Sequence, residues 1–172
     1  LFLSQDKYLS KKIFNFHKIS CPEAFVIKKG GEVYVPKNFS FPLFVKPVHE
    51  DASIGVDDNS FVKDVEGLGK KVKEIHEKIG DDVLVEEFID GREFFVSILG
   101  NENLKPLPIV ELDYIDWPAE KPKIYTQKAK ISERSKEYKS TKAKIPSDLY
   151  LETQSRLYDM AIAAYRALDI KD

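Results

Sequence analysis

The 172-residue chain has a single cysteine, Cys21, and no long apolar run. One cysteine excludes an intramolecular disulfide and a cysteine-based zinc site, so a reducing, cytoplasmic location is expected. The apolar stretch at residues 1–3 is too short for the core of a signal peptide. No segment approaches the roughly 18 apolar residues that a membrane-spanning helix requires, so we expect no membrane partner.

A strong excess of positive or negative charge is also missing. The chain carries 27 Lys and Arg against 29 Asp and Glu, which leaves −2 at pH 7. Nucleic acids and anionic membrane surfaces select proteins with a strong basic excess, so we expect neither as a partner. A local basic site remains compatible with this balance. Hydrophobic residues make up 42% of the chain, enough to bury a core in one domain or two small lobes.

The pattern of apolar residues and turns predicts an α+β fold with mostly antiparallel sheets and helices packed on one face. Helices are predicted at 4–19 with Ser4 as N-cap, at 68–79, and at 147–168 with Ser147 as N-cap. Strands are predicted at 24–28 and 32–36, joined by a Gly30-Gly31 turn, and at 43–46, 83–89, 93–99 and 108–113. The proline-dotted, lysine-rich residues 114–145 are expected to form a long, partly mobile loop.

Charged residues stand inside the predicted strands, where core residues are expected. They are Lys46, Glu86, Glu87, Glu93 and Glu111. In one interpretation these groups pair with one another or protect an edge strand. In the other they form a ligand site, in which lysines bind phosphates and carboxylates accept hydrogen bonds from ribose hydroxyls. The residues alone leave both interpretations open.

The polar loop 49–56 follows Lys46-Pro47 directly, and its small residues let backbone N–H groups approach an anion. It contains one glycine, Gly55, and matches neither the P-loop nor the Rossmann pattern, so a surface turn is the alternative. The histidines, His17, His49 and His76, have no metal-ligand spacing, and we expect His17 and His76 to be solvated. The cluster Lys128-Ala129-Lys130 is either a solvated face or a lid that brings positive charge to phosphates.

Four segments in order carry a family resemblance. They are Asp6-Lys7-Tyr8, residues 41–47 (FPLFVKP) followed by 50–56 (EDASIGV), residues 83–94 (VLVEEFIDGREF), and residues 125–130 (YTQKAK). This set resembles the ATP-grasp ligases, and most closely the D-alanine–D-alanine ligase family. The resemblance implies an ATP-grasp-like, truncated fold in which residues 1–90 form the central nucleotide-binding subdomain. Residues 91–172 are the start of the C-terminal subdomain, and ATP binds between the two lobes.

The resemblance also implies roles for individual residues. Lys7 and Lys46 contact phosphates, and Ser53 with the Ile54-Gly55 backbone caps them. The 86–89 backbone bonds adenine and Phe88 packs on its ring, while Glu93 accepts from the ribose hydroxyls. Lys130 reaches the γ-phosphate, and together with Ser53 it is the implied catalytic residue. The complete implied nucleotide site is Lys7, Lys46, Glu50, Ser53, Ile54, Gly55, Val56, Glu86, Glu87, Phe88, Ile89, Glu93 and Lys130.

The implied reaction is phosphorylation of a carboxylate by ATP, followed by attack of an amine on the acyl phosphate. The implied partners are ATP and a small amino-acid-like substrate, and the resemblance leaves a homodimer of the full-length protein open. Because the chain lacks an initial Met and its family match stops at Asp172, we expect a fragment that is inactive alone. The ligands for Mg²⁺ are expected beyond Asp172, so this chain is assigned no metal ligand.

Two departures from the family pattern bear on substrate. The family loop has Gly-Ser-Ser where this chain has Asp51-Ala52-Ser53, and an aromatic residue commonly follows the loop lysine where this chain has Ile131. Two alternatives therefore stay open. One is an ATP-grasp ligase for another amino acid or peptide, and the other is a nucleotide-binding or interaction module without ligase activity.

Overall fold

The computed structural model describes residues 2–171. Its helices are α1 (Phe2–Gln5), α2 (Lys7–Phe16), α3 (Val65–Lys78), α4 (Gln127–Ile131), α5 (Lys136–Lys139) and α6 (Leu151–Ala167). Its strands are β1 (Ala24–Ile27), β2 (Leu43–Pro47), β3 (Phe61–Val62), β4 (Val83–Glu87), β5 (Glu93–Phe95), β6 (Ile98–Leu99), β7 (Lys105–Pro106), β8 (Val110–Tyr114) and β9 (Thr141–Lys144). None of the helices in this part of the chain has the length and apolarity that a bilayer crossing requires.

The first sheet has the strand order β1-β4-β2-β3, and all of its pairs are antiparallel. β4 has a neighbour on both sides, and its residues 83–86 are buried. Phe44 stands opposite Glu86, and Lys46 stands opposite Leu84. Since opposite residues of an antiparallel pair share a face, Lys46 and Glu86 lie on the same side of the sheet. Alternation fixes the face of each residue within its own strand, and the register between β2 and β4 brings the two charges to one side.

The other face of the first sheet carries the hydrophobic core, which α3 covers. Leu68, Val72 and Ile75 recur at helical spacing on α3 and are at most 2% exposed. They pack in one cluster with Val45 and Val85 of the sheet. Burial of each such side chain stabilises the fold by about 1.5–3 kcal/mol. Packing on this face therefore fixes the sheet, while the opposite face carries the charges.

The second sheet has the order β5-β8-β9 and is also antiparallel. β6 and β7 form a separate two-stranded ribbon. α6 packs against this ribbon and against α2. The Tyr165 hydroxyl donates to the carbonyl oxygen of Gly100 at 3.0 Å, which ties α6 to the turn after β6. The α+β class and the antiparallel sheets agree with the sequence pattern.

The N-terminal helix begins later than predicted. Ser4 lies inside the short helix α1, and Asp6 is the N-cap residue of α2. The Asp6 carboxylate accepts from the backbone N–H groups of Tyr8 and Leu9 at 2.9 and 2.8 Å. Its negative charge also suits the positive end of the helix dipole, which explains why this cap prevails over a serine hydroxyl. As a result, Lys7 is the first residue of α2.

The predicted hairpin between residues 24–28 and 32–36 is wrong in its second strand. The turn forms, with Gly31 N–H donating to Lys28 O at 2.8 Å, but residues 32–36 are not a strand. β1 pairs with β4 instead, so that Phe25 stands opposite Val85 in the core. Burial against the central strand outweighs the local hairpin signal, because a pair of exposed strands has little apolar surface to bury.

Residues 114–145 do not form the irregular loop that was predicted. They contain α4, α5 and β9, and β9 pairs with β8 so that Lys144 stands opposite Glu111. Thr126 and Ser135 cap the two short helices through their side-chain oxygens. Apolar periodicity could not predict these elements, because caps and edge pairing stabilise them more than a buried core does.

Other predicted boundaries also shift. Strand 83–89 ends at Glu87, strand 93–99 divides into β5 and β6, and strand 108–113 becomes β8. Ser147 does not cap α6, which begins at Leu151 without a side-chain cap. The neighbouring Asp148 is held by Arg92 at 2.8 Å, and Arg92 also binds Glu111. His17 is exposed as predicted, but the Nε2 atom of His76 is buried.

We predict that Gly55→Ala destabilises the fold by about 1–3 kcal/mol. Gly55 has a φ of 75°, in the left-handed region where a side chain is strained. An added Cβ would lie 2.5 Å from Ile79 Cδ1 and 2.7 Å from Pro47 Cγ. Gly69→Ala is the matched control, because nothing lies within 4 Å of its Cβ position on α3. It should stabilise by about 0.5–1 kcal/mol, and urea unfolding of both variants measures the difference.

Candidate functional site

A cleft of about 400 Å³ opens on the charged face of the first sheet. Its walls come from both sheets and from two loops, 50–56 and 123–130. The sequence-predicted site residues that line it are Lys7, Lys46, Glu50, Ser53, Ile54, Val56, Glu86, Glu87, Phe88, Ile89, Glu93 and Lys130. Gly55 is the predicted residue that does not line it, since it packs behind the loop against Pro47 and Ile79. Segments far apart in the chain therefore meet around one cavity.

Lys7 reaches the cleft from the first turn of α2. Its Nζ donates to the carbonyl oxygens of Val48, at 3.0 Å, and Glu50. Burial lowers the pKa of Lys7, and the positive charge of Lys46 lowers it further. Two ammonium groups that repel each other across a cleft are a favourable arrangement for a polyanion, which relieves the repulsion.

Glu86 lies between two lysines in the floor of the cleft. Its carboxylate is 2.5 Å from Lys46 Nζ and 2.9 Å from Lys11 Nζ, and its side chain is 8% exposed. Lys11 comes from α2, where it also donates to Pro22 O at 2.8 Å. The charges in the strands therefore pair with one another and also line a cavity, so the two interpretations of the sequence are compatible.

The loop 51–56 has a tightly turned backbone. Ala52 and Ser53 have φ values of 52° and 60°, and Gly55 follows at 75°. Ile54 N–H donates to Asp51 O, and Val56 N–H donates to Ser53 O, both at 2.9 Å. Turns of this kind form anion-binding concavities where their remaining N–H groups point to a ligand.

The two loops of the cleft contact each other. Ser53 Oγ donates to Tyr125 O at 2.9 Å, and Gln127 N–H donates to Val56 O at 3.2 Å. Lys130 Nζ lies 4.9 Å from the centre of the Tyr125 ring, a cation–π contact. The Ser53 hydroxyl has to leave Tyr125 before it can donate to a ligand.

Glu93 is a partly buried carboxylate at the start of β5. The Tyr114 hydroxyl donates to its Oε2 at 3.3 Å. Burial raises the pKa of Glu93, while the Tyr114 hydrogen bond and the positive charge of Lys130 act in the opposite direction. Burial likewise raises the pKa of Tyr114. An acceptor with unused lone pairs in this setting suits a ligand that donates hydroxyl hydrogens.

The residues after β4, Phe88 and Ile89, combine available backbone hydrogen-bonding groups with an aromatic ring. Glu87 N–H still donates to Glu23 O at 3.1 Å, but no hydrogen bond within residues 2–171 involves the backbone of Phe88 or Ile89. The Phe88 ring packs edge-on against Phe61, with centroids 4.7 Å apart. The backbone groups at the cleft are thus available to a ligand beside an aromatic surface.

Residues outside the predicted nucleotide site, some of them within the family segments, complete the cleft. They are Pro22, Phe44, Pro47, Asp51, Ala52, Lys123, Ile124 and Tyr125 in the walls, with Lys11 and Tyr114 behind them. Lys11 follows Lys7 by one helical turn, so helical spacing could have indicated it. Tyr114 offered no signal, because its contact with Glu93 depends on the pairing of β5 with β8.

Magnesium was expected to need ligands outside this chain. Among residues 2–171, no group of three or more His, Cys, Asp or Glu side chains is arranged to hold a metal ion. The Glu86 carboxylate is held by Lys11 and Lys46, and Glu93 stands without a second carboxylate arranged beside it to share a metal ion. The described donors alone therefore do not fit a magnesium ion.

We predict that Glu86→Ala destabilises the chain by about 3–5 kcal/mol, because it leaves Lys11 and Lys46 without a counter-charge in a buried setting. Glu87→Ala is the matched control on the same strand, where the exposed side chain accepts one hydrogen bond from Glu23 N–H. It should cost about 1 kcal/mol or less. Equal losses in urea unfolding would contradict the role given to Glu86.

We also predict that Glu93 titrates above the ordinary range of a glutamate, and that Tyr114→Phe raises its pKa further by removing a donor to the charged form. Carbon-detected NMR of the carboxyl group measures both values. Because the folded-state pKa is raised, stability associated with Glu93 is present at low pH and lost as the pH rises through that pKa. Glu93→Gln should remove this loss. Tyr138→Phe, outside the cleft, should leave the titration unchanged.

Comparison with known proteins gives a consistent family. Residues 13–172 match the family model described as D-ala D-ala ligase C-terminus. The "Uncharacterized protein y4sG" of Sinorhizobium fredii is 34% identical over 170 residues, covering 99% of this chain and 47% of that protein. The D-alanine–D-alanine ligase of Pelagibacter ubique is 33% identical, covering 98% of this chain and 51% of that protein. The chain thus spans about half the length of the curated relatives it matches.

A solved structure shows the same fold. The crystal structure of D-alanine–D-alanine ligase from Bacillus anthracis complexed with ATP superposes with a TM-score of 0.70 at 24% identity. The match covers 97% of this chain and 47% of that chain. With its antiparallel sheets, its cleft and its matched family model, the chain belongs to the D-alanine–D-alanine ligase C-terminal family and has the ATP-grasp fold.

Proposed function

We propose that the cleft binds ATP and that the chain is the nucleotide-binding part of a carboxylate–amine ligase. The observation that carries this proposal is the meeting of three lysines, a partly buried glutamate and an open strand end around one cavity. The lysines Lys7, Lys46 and Lys130 suit a polyphosphate, and Glu93 suits a ribose diol. The cavity volume of about 400 Å³ is within the usual range for small-molecule sites.

Each part of the nucleotide has a proposed partner. The backbone of Phe88 and Ile89 bonds the adenine edge, and the Phe88 ring packs on its face. Lys7, Lys46 and the 51–56 loop bind phosphates, with the Ser53 hydroxyl turning from Tyr125 to a phosphate oxygen. Lys130 neutralises the γ-phosphate as it is transferred, which makes it the proposed catalytic residue with Ser53.

The proposed reaction begins with attack of a substrate carboxylate oxygen on the γ-phosphorus of ATP. The bond to the β–γ bridging oxygen breaks, and ADP leaves. An amine then attacks the carbonyl carbon of the acyl phosphate, so that an amide forms and phosphate departs. Positioning and charge neutralisation account for most of such catalysis, and the cleft lysines supply both. The relatives' name and the shared fold support a ligase of this class.

The arrangement of the sheets supports a two-lobed site. Residues 1–90 contain the first sheet, residues 91–172 contain the second, and the cleft takes walls from each. We therefore propose that these are the central and C-terminal subdomains of the ligase. A homodimer of the full-length protein and a cytoplasmic location stay predictions.

Two residues favour a second candidate, a ligase for a different amino acid or peptide. Ala52 lines the cleft without a hydroxyl group, and Ile131, next to Lys130, is 59% exposed and has an aliphatic side chain that cannot hydrogen-bond. In the proposed binding mode, both residues lie near the site of phosphoryl transfer rather than near the adenine. Assay of the full-length protein against a panel of D-amino acids, L-amino acids and dipeptides separates this candidate from D-alanine ligation.

The test of nucleotide binding is calorimetric titration of the 172-residue chain with ADP and, separately, with inorganic triphosphate. Lys46→Ala should weaken both by about tenfold to a hundredfold, because it removes a charged hydrogen bond. Glu93→Ala should weaken the binding of ADP and leave the binding of triphosphate unchanged, because triphosphate has no ribose.

The matched controls are Lys73→Ala and Glu102→Ala, exposed residues outside the cleft. Both should bind ADP as the parent chain does. No binding of either ligand, or equal affinities in all variants, would exclude a nucleotide site. ADP release from ATP by this chain with D-alanine and Mg²⁺ would contradict the expectation that it is inactive alone.

A further inference from the structure

His49 lies outside the set of proposed nucleotide ligands but joins two elements beside them. Its Nδ1 is 2.6 Å from Asp81 Oδ1, and its backbone N–H donates to Asp81 Oδ2 at 2.7 Å. Its Nε2 is 3.7 Å from Asp6 Oδ2. The imidazole ring therefore bridges the residue before α2 and the segment before β4. We name Asp6, His49 and Asp81 the imidazole bridge.

The imidazole bridge is attached to Lys7 through the main chain on both sides. Lys7 Nζ donates to the carbonyl oxygens of Val48 and Glu50, the neighbours of His49, and Lys7 N–H also donates to Val48 O at 3.3 Å. Asp6 precedes Lys7 and uses its Oδ1 to cap α2, which leaves Oδ2 toward the imidazole. Any shift of residues 48–50 relative to α2 must therefore move the Lys7 ammonium.

Protonation decides whether the bridge holds at both ends. An imidazolium donates from both nitrogens, one toward Asp81 and one toward Asp6. A neutral ring that keeps its proton on Nδ1 for Asp81 presents a lone pair toward the Asp6 carboxylate, which repels it. Opening of that end removes a contact between the start of α2 and the 48–50 segment and leaves the hydrogen bonds of Lys7 to hold the two together.

The charges around His49 are mostly acidic. Asp81 and Asp82 face it from the segment before β4, and Asp6 faces it from the start of α2. Lys28, at the end of β1, neutralises Asp82 at 2.7 Å. The hydrogen bond to Asp81 raises the pKa of His49, and the charges of Asp81, Asp6 and Asp82 raise it further. The stabilisation from this pairing is therefore present at low pH and lost as the pH rises through the folded-state pKa.

We propose that His49 is a positioning residue whose imidazolium form holds Lys7 toward the cleft, so that phosphate binding weakens when the ring loses its proton. This inference rests on the proposed nucleotide site. His49 does not contact the ligand in this proposal, and it acts only by fixing the position of the Lys7 side chain.

The first experiment compares the parent chain, His49→Arg and His49→Gln by calorimetric titration with ADP, without divalent metal, at about pH 6 and about pH 8.5. His49→Arg keeps a permanent charge that can bridge both carboxylates. The ratio of the parent chain's ADP affinity to that of His49→Arg should fall by roughly two- to fivefold from the lower pH to the higher. This ratio cancels the ionisation of ADP itself. His49→Gln should match the parent chain at the higher pH only.

The second experiment repeats the comparison in a Lys7→Met background. If His49 acts through Lys7, the difference between His49→Arg and His49→Gln disappears there. A difference that persists would mean that the ring acts by its charge alone, and the inference would be overturned. In the unmodified chain, NMR resonances of the Lys7 side chain should titrate together with those of His49, which requires no variant to fold.

The outcomes separate the inference from the function it rests on. Binding of ADP with a pH-independent ratio overturns the role of His49 and leaves the nucleotide site standing. Absence of binding at both pH values overturns the nucleotide site and the inference with it. Thermal melting of each variant at both pH values shows whether a loss of binding comes from unfolding.

Discussion

The pairing of Glu86 with two lysines is the interaction on which the cleft depends. Glu86 occupies the central strand of the first sheet, and its carboxylate would be costly to bury without partners. Lys11 brings α2 onto this face of the sheet, and Lys46 comes from the neighbouring strand. The same pairing therefore docks the helix that carries Lys7 and holds a second cation at the cavity. The fold and the proposed nucleotide site share one set of charges.

Local patterns predicted only part of this arrangement. Alternation puts Lys46 on the same face as Phe44, and Glu86 on the same face as Leu84, since period two is a local property of the backbone. The pairing of β2 with β4 is what brings both charges to one side of the sheet. The choice of β4 as the partner of β1 is not local. It depends on the burial of Phe25 and Ile27, and no sequence window contains both strands.

Helix starts show a similar limit. Ser4 and Asp6 are both acceptable caps by residue type, and the carboxylate prevails because it accepts two backbone N–H groups. The short helices α4 and α5 have caps but little apolar periodicity, so composition alone predicted a loop. Tyr114 contacts Glu93 behind the cleft only because β8 pairs with β5. Contacts of this kind follow from topology rather than from spacing.

Gly55 shows how differently the two walls of the cleft are supported. It fits between Pro47 and Ile79 with no room for a methyl group, so the 51–56 loop is wedged against the end of the helix that covers the core. That wall cannot shift without disturbing the packing of the first sheet. The opposite wall is joined to it near Ser53 and Val56 by only two hydrogen bonds, from the Ser53 hydroxyl and the Gln127 amide. Room for ligands of different size is therefore unequal across the cavity, and sequence change at exposed residues of this second wall, such as Lys123, can reshape it while the packing of the first sheet is preserved.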